Sequence, residues 1–264
     1  MTINPLISVI INCHNGEKYL SKCIKSILAQ TYKNWEIVFW DNCSTDNSKK
    51  IIKNFKDTRI KYFKSKHFTS LYAARNLALK KTKGDYVSFL DTDDWWDKKK
   101  LLKQISIIKL NNDPKIIYSN VCIVHQNKGS KKLFSKVDLP TGHITQKLLN
   151  DYKVGLLTIL VKKEIFKKTN FNEKYNIIGD FDFVIKLSVN TKFFCVQEPL
   201  AFYRIHEENL FKKGINLYIS ELKDWLISNS KYFKKNKYSL FMVRALYYKL
   251  VFKQLLQSLF KKFI

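Results

Sequence analysis

The segment GDYVSFLDTDDWW, Gly84–Trp96, passes from a short apolar run straight into a cluster of carboxylates. Tyr86 to Leu90 carries the β-branched and aromatic side chains of a buried strand. Asp91, Asp93 and Asp94 follow at once. Negative charge gathered at a strand end is costly unless a cation sits among it. A hard divalent ion held by one or two carboxylates plus substrate phosphates matches this arrangement. The plainer alternative is that the aspartates cap the helix expected from Lys98 to Leu110.

The same alternation extends outward on both sides. Ile7 to Asn12, Trp35 to Trp40, Arg59 to Lys64 and Ile116 to Val124 read as further strands, with helices expected over Glu17 to Gln30, from about Ser48, and over Ser70 to Lys81. Strands alternating with helices predict an α/β fold whose central sheet is mostly parallel. In such sheets ligands gather beyond the carboxyl ends of the strands. Three strands end in polar groups: Asn12-Cys13-His14-Asn15, Asp41-Asn42-Cys43-Ser44, and Asp91-Thr92-Asp93-Asp94. Neither GxGxxG nor GxxxxGK[ST] occurs, so the glycine-rich phosphate cradles are missing.

After a turn at Asn127 to Gly129 the pattern is less regular, with helices expected at His143 to Tyr152 and Phe181 to Asn190 and strands at Thr158 to Lys162 and Phe193 to Val196. The chain has 264 residues and a formal net charge of +26. Only Arg59, Arg75, Arg204 and Arg244 are arginine, which argues against a nucleic-acid partner, since base reading relies on the bidentate guanidinium fork. The five cysteines are scattered and form no CxxC pair, which points to a reducing, cytoplasmic setting without a disulfide framework. No uncharged apolar run approaches the roughly 18 residues of a spanning helix.

Six blocks, taken in order, resemble family 2 glycosyltransferases of the GT-A fold. SVIINCHNGEKYL (Ser8–Leu20) is similar to the family's opening strand, EIVFWDNCSTDNS (Glu36–Ser48) to its nucleotide segment, and AARNLAL (Ala73–Leu79) to its helix motif. Asp91–Asp93 matches its DxD, GDFDFVIKL (Gly179–Leu187) its acceptor-side motif, and FYRIHEEN (Phe202–Asn209) its YRxHxxN. The resemblance implies a Rossmann-like GT-A sheet flanked by helices, with a helical C-terminal extension. It implies an inverting transfer of a hexose-type sugar from a nucleotide-sugar, UDP-linked in the commonest case, to a glycan or glycolipid acceptor of surface polysaccharide synthesis.

Carried over by position, Asp41 meets the nucleotide base, with Asn15 and Asn42 beside it in the donor site. Arg75 lies near the diphosphate or ribose. Asp91 and Asp93 serve ribose and a Mn2+ or Mg2+ ion, Asp93 more directly. Asp180 takes the place of the catalytic base, and Arg204 and His206 approach the diphosphate. Asp182, in the same first turn, reads as a helix-dipole partner. Three departures stand out: Asn12 and His14 replace the usual proline and tyrosine, Asn42 a second aspartate, and Gly179 the acidic residue before the base.

Residues 1–125 are thus expected to form the donor half, 126–210 the acceptor half, and 211–264 a basic helical tail. From Leu240 to Phe263 a helical projection puts Phe241, Tyr248, Phe252, Leu255 and Leu259 on one side and Lys249, Lys253, Gln257 and Lys261 on another. That apolar side is expected either to pack on the catalytic domain or on a second copy, as a homodimer, or to lie on the anionic cytoplasmic face of a membrane. Two rival functions fit parts of the pattern: an aspartate-nucleophile phosphohydrolase, which also opens on a strand and DxD, and a carbohydrate- or surface-binding module that has lost its base.

Overall fold

Every residue of β1 (Ile7–Cys13) and β2 (Trp35–Asp41) is buried, so both faces of this part of the sheet must be covered. In the computed structural model, which describes residues 4–111, 113–207 and 214–262, with side chains as far as Gln257, they are. Alternate residues divide between two cores. Ile7, Val9 and Ile11 face Leu20, Cys23, Ile24 and Ile27 of α1 (Glu17–Leu28). Ile10, Val38 and Trp40 face Tyr72, Ala74 and Ala78 of α3 (Leu71–Leu79). The short α2 (Ser48–Asn54) packs beside α1.

The strands β3 (Ile60–Lys64), β2, β1 and β4 (Tyr86–Phe89) lie side by side and parallel. Because β1 is flanked by β2 on one side and β4 on the other, a crevice opens at their carboxyl ends. Beyond β4 the sheet becomes mixed: β8 (Leu160–Lys162) is antiparallel to β4 and to β6 (Ile116–His125), and β6 is parallel to β9 (Phe193–Ile205). The expected α/β architecture is present, and α4 (Lys100–Leu110) covers the sheet near the middle.

Three elements differ from the sequence reading. Trp95–Trp96 forms a two-residue strand, β5, antiparallel to Phe202 and Ala201 of β9. The strand β9 runs on to Ile205 through a bulge opposite Ser119 and Asn120 of β6. Ser130–Leu133 returns as β7 against β6, an exposed lysine-bearing hairpin strand that apolar periodicity does not mark. The helices α5 (Thr145–Asn150) and α6 (Gly179–Asn190) stand close to their expected positions.

The C-terminal helices α7 (Ile215–Lys235) and α8 (Phe241–Lys262) join the core that contains α6. Trp225 of α7 is buried and its Nε1 donates to Asp182 Oδ1 at 3.0 Å, while Lys186 Nζ donates to Oδ2 at 2.7 Å. Asp182 therefore works chiefly as an anchor for α7, beyond the dipole role read from its position. Glu221 goes further: its carboxylate accepts from the backbone amides of Asn176, Ile177 and Ile178 at 2.6, 2.9 and 3.1 Å. These amides lead directly into α6, whose own cap residue supplies no side-chain bond.

On α8, Leu240 before it, Val243, Tyr247 and Leu250 face the core. Phe241, Tyr248 and Phe252, expected on the apolar side, point outward and are 71%, 67% and 63% exposed, so this side does not pack on the catalytic domain. Leu255 is also exposed; the side chains of Leu259 and Lys261 lie outside those described. The helix thus has two apolar faces, of which the protein covers one. Among the described residues no helix is long and apolar enough to cross a membrane. Replacing Glu221→Ala leaves three amides without their charged acceptor and should lower unfolding free energy by about 1–3 kcal/mol, read from urea denaturation. An unchanged denaturation midpoint would show that Glu221 does not hold this segment.

Candidate active site

Arg75 projects from the buried side of α3 and is 1% exposed. Its Nη1 donates to Asp180 Oδ1 at 2.6 Å, and its Nη2 to Asp91 Oδ1 and Oδ2 at 2.9 and 3.1 Å. One guanidinium therefore joins the aspartate that follows β4 to the aspartate that opens α6. Burial works against the Arg75 charge, but Asp180 and Asp91 outweigh it and hold its pKa above the ordinary value. Burial pushes the Asp180 carboxyl up, Arg75 pulls it down and the Asp91 charge pushes it up again; the net direction is up. A third of the Asp180 side chain remains open to the cleft.

Asp93 stands on the other side of the DxD. Its Oδ2 is 2.9 Å from His206 Nε2, and its backbone carbonyl accepts from Arg204 Nε at 2.7 Å. Asp94 is buried and accepts from the Arg204 amide at 2.8 Å. The Arg204 guanidinium lies between the rings of Tyr19 and Trp95, at 4.4 and 4.7 Å from their centroids. Burial and then the neighbouring Asp91 charge push Asp93 up, against the pull of His206. Burial and the charge of Asp93 push Asp94 up further.

At the ends of β1 and β2, Asp41 is buried, with Oδ1 accepting from the Ser44 amide at 2.7 Å and Oδ2 from the Tyr62 hydroxyl at 2.6 Å. Asn42 clamps the Thr69 backbone, donating to its carbonyl at 2.8 Å and accepting from its amide at 3.1 Å. Asn15 adopts φ +53° and accepts from the Thr45 amide at 2.8 Å. Asp41, Asn42 and Asn15 therefore shape the loops, and the groups open to a ligand lie beside them. His14, with Nδ1 3.0 Å from the Asn42 carbonyl oxygen, has its ring 4.6 Å from that of Phe68, which is exposed. Asn12 Nδ2 is buried at the end of β1 without a partner among the described residues.

The expected site residues stand at the carboxyl ends of β1, β2, β4 and β9 and at the start of α6, with Arg75 reaching in from α3. The sequence reading missed Tyr62, Phe68, Tyr72, Tyr19 and Trp95. Tyr19 and Trp95 stand inside the quoted motifs and Tyr62, Phe68 and Tyr72 outside them; all five reach the site through packing that no local pattern marks. Tyr72 is the most consequential: its hydroxyl donates to the Ile177 carbonyl and accepts from the Asp180 amide, both at 3.2 Å. Its ring fills the space beside Gly179, where an added Cβ would lie 2.4 Å from Tyr72 Cε2. The missing acidic residue at 179 is therefore a steric requirement of Tyr72.

A divalent cation fits the donor set only as a shared ligand. Among the described residues no group of three His, Cys, Asp or Glu could hold one alone. Asp93, with His206 beside it, offers one carboxylate and one imidazole. That suits an ion which takes its remaining ligands from a substrate diphosphate. Both oxygens of Asp91 are engaged by Arg75, which makes Asp93 the nearer ligand.

This arrangement, a mostly parallel sheet with a DxD after β4 and an aspartate at a later helix start, has the architecture that the family resemblance implied. The family model described as Glycosyl transferase family 2 matches residues 8–182, and the chain belongs to that family. It is 34% identical over 166 residues to the UDP-Glc:alpha-D-GlcNAc-diphosphoundecaprenol beta-1,3-glucosyltransferase WfgD of Escherichia coli. That alignment covers 63% of this chain and 64% of the relative, so the match spans less than two thirds of WfgD. Residues 1–349 of S. aureus TarS in complex with UDP superpose with a TM-score of 0.64 at 22% identity, over 82% of this chain and 65% of that one. A mannosyltransferase of Pyrobaculum calidifontis, PcManGT, in complex with GDP-Man and Mn2+, gives 0.64 at 14% identity, over 94% and 70%. At these identities the superpositions establish the shared fold.

Restoring the acidic side chain by Gly179→Glu should displace Tyr72 and cost about 1–3 kcal/mol of stability. The double variant Gly179→Glu/Tyr72→Ala, which opens that space, should tolerate the glutamate better than the Tyr72 background does. Paired thermal melts of the four proteins check this, and strict additivity would overturn it.

Proposed function

We propose that this glycosyltransferase moves a hexose from a UDP-sugar to the sugar of a lipid-linked acceptor, with inversion. The single observation carrying the reading is the Asp91–Arg75–Asp180 bridge, which sets a cleft-facing carboxylate across from the strand ends that receive the donor. WfgD, by its name, acts on a diphosphoundecaprenol-linked sugar, and TarS was crystallised with UDP; both support the choice of substrates. We assign 1–125 to the donor, 126–210 to the acceptor, and 211–264 to a tail that braces the acceptor half.

In the reaction the acceptor hydroxyl attacks the anomeric carbon as the bond from that carbon to the diphosphate oxygen breaks. Asp180 takes the hydroxyl proton, a contribution of about 10²- to 10⁴-fold. Charge develops on the departing nucleoside diphosphate, and Arg204 and His206 stand where cations and donors stabilise it. A Mn2+ or Mg2+ ion, when bound at Asp93 with His206 beside it, supplies Lewis-acid stabilisation of the same charge. His14 and Phe68 offer ring faces to the base. The rival phosphohydrolase reading would need Asp91 as nucleophile, but Arg75 holds both its oxygens. The outward face of α8 lies on an anionic membrane, with Phe241 and Phe252 in the interface and Arg244, Lys249 and Lys253 on its flanks.

Release of UDP from UDP-sugars in the presence of acceptor tests the chemistry. Asp93→Ala and Asp180→Asn should each reduce kcat/KM at least about 100-fold while the fold survives; full activity in either would remove the mechanism. Because the Asp180 carboxyl must be ionised to take a proton and its pKa is raised, kcat/KM should fall with decreasing pH above the ordinary aspartate value of about 3.9. Membrane seating is checked by flotation: wild type should rise with phosphatidylglycerol vesicles and Phe241→Glu/Phe252→Glu should not, whereas equal flotation would exclude this face.

A further inference from the structure

Tyr203 stands between Phe202 and Arg204 in β9, and both neighbours are tied to the loop that carries the DxD. Phe202 pairs with Trp95, while the Arg204 amide donates to Asp94 and its Nε to the Asp93 carbonyl, at 2.8 and 2.7 Å. Tyr203 is therefore held at the edge of that loop. Successive side chains of a strand leave on opposite faces. The Arg204 guanidinium goes to the rings of Tyr19 and Trp95. The Tyr203 side chain leaves on the other face and lines a cavity of about 780 Å³ whose walls also include Asp91, Asp94 and Asp180.

The hydroxyls of neighbouring tyrosines are engaged: Tyr62 donates to Asp41, Tyr72 to the Ile177 carbonyl and Tyr152 to the Asp180 carbonyl. The Tyr203 hydroxyl has no hydrogen-bond partner among the described residues, yet it is not sealed from solvent as the orphaned nitrogens of Asn12, Trp35 and Trp40 are. It keeps its proton. The ordinary phenol pKa is about 10, and burial, then the charges of Asp94, Asp93, Asp91 and Asp180, push it higher. Ionised carboxylates only accept, so beside Asp91, Asp94 and Asp180 the phenol is a donor. A sugar hydroxyl answers both kinds of group, because it can donate to a carboxylate and accept from Tyr203 at once.

Two sugars meet at such a site, the one transferred and the one that receives it. The receiving hydroxyl has to reach Asp180, at the start of α6. Tyr203 is fixed to the DxD loop, where the diphosphate and the sugar attached to it belong. We infer that Tyr203 is a specificity-determining residue for the donor, its hydroxyl donating to a hydroxyl of the transferred hexose. This rests on the reading of the site as a UDP-hexose transferase and adds what recognises the sugar apart from its nucleotide. Contacts to base and phosphate are common to every UDP-hexose. A phenol aimed at one hydroxyl separates them, because a sugar without that hydroxyl leaves the phenol enclosed and unpaired.

Calorimetric titration of the full chain with UDP, UDP-glucose, UDP-galactose and UDP-N-acetylglucosamine, with Mn2+ present, tests the assignment. The UDP-hexose bound most tightly serves as parent, and its monodeoxy analogues serve as probes. Tyr203→Phe keeps the ring and should bind UDP as wild type does, with no loss of melting temperature, while binding the parent about fivefold more weakly. Wild type should lose a similar factor with one monodeoxy analogue, and Tyr203→Phe should bind that analogue and the parent alike. Equal weakening of UDP and UDP-hexose in Tyr203→Phe would overturn the assignment. So would unchanged UDP-hexose binding, or the same penalty for every analogue in both proteins. Failure of wild type to bind UDP at all would instead remove the transferase reading on which the assignment stands.

Discussion

A guanidinium sealed inside the protein holds the site together. Arg75 cannot be solvated where it lies, and Asp91 and Asp180 are the groups that compensate its charge. The dependence is mutual, because without Arg75 two carboxylates would share a poorly solvated cleft. Breaking a buried pair from one side leaves an uncompensated charge, which is far more costly than the pair is favourable. The bridge therefore fixes a distance: the end of β4 and the start of α6 are held by one rigid planar group.

A second set of ties works on the other edge of the cleft. The loop after β4 turns into β5, which pairs with β9, and the end of β9 returns Arg204 and His206 to Asp93 and Asp94. Backbone pairing thus aligns two motifs that lie more than a hundred residues apart. The Arg204 guanidinium is further kept in place by the aromatic faces of Tyr19 and Trp95. The segments on either side of the cleft thus meet through specific bonds at both edges.

The sequence made much of the first 125 residues legible, because strands buried on both faces read as continuous apolar runs and their polar ends stand out. Asp91, Asp93, Arg75 and Asp180 were each visible as residues. That Arg75 joins two of them was not, since Asp180 lies 105 positions away and no local periodicity encodes such a contact. The strands β5 and β7 escaped because two tryptophans and a lysine-rich tetrad have no strand signature of their own; tertiary pairing alone makes them strands. On α8 the period revealed apolar residues on more than one side, but a helical projection cannot say which side the rest of the chain covers. The glycine at 179 read as a lost carboxylate, and only the position of Tyr72 shows why no side chain fits.

The contact between Glu221 and the entry to α6 also bears on biosynthesis. Its carboxylate meets the Ile178 amide across 43 positions of chain, so the ribosome releases Asp180 well before the residue that steadies its helix. A nascent chain that has completed β9 already contains Arg75, Asp91 and Asp180, while the entry to α6 gains its fixed seat only after Glu221 of α7 has emerged. The strand ends are thus complete earlier in the life of the polypeptide than the support beneath Asp180.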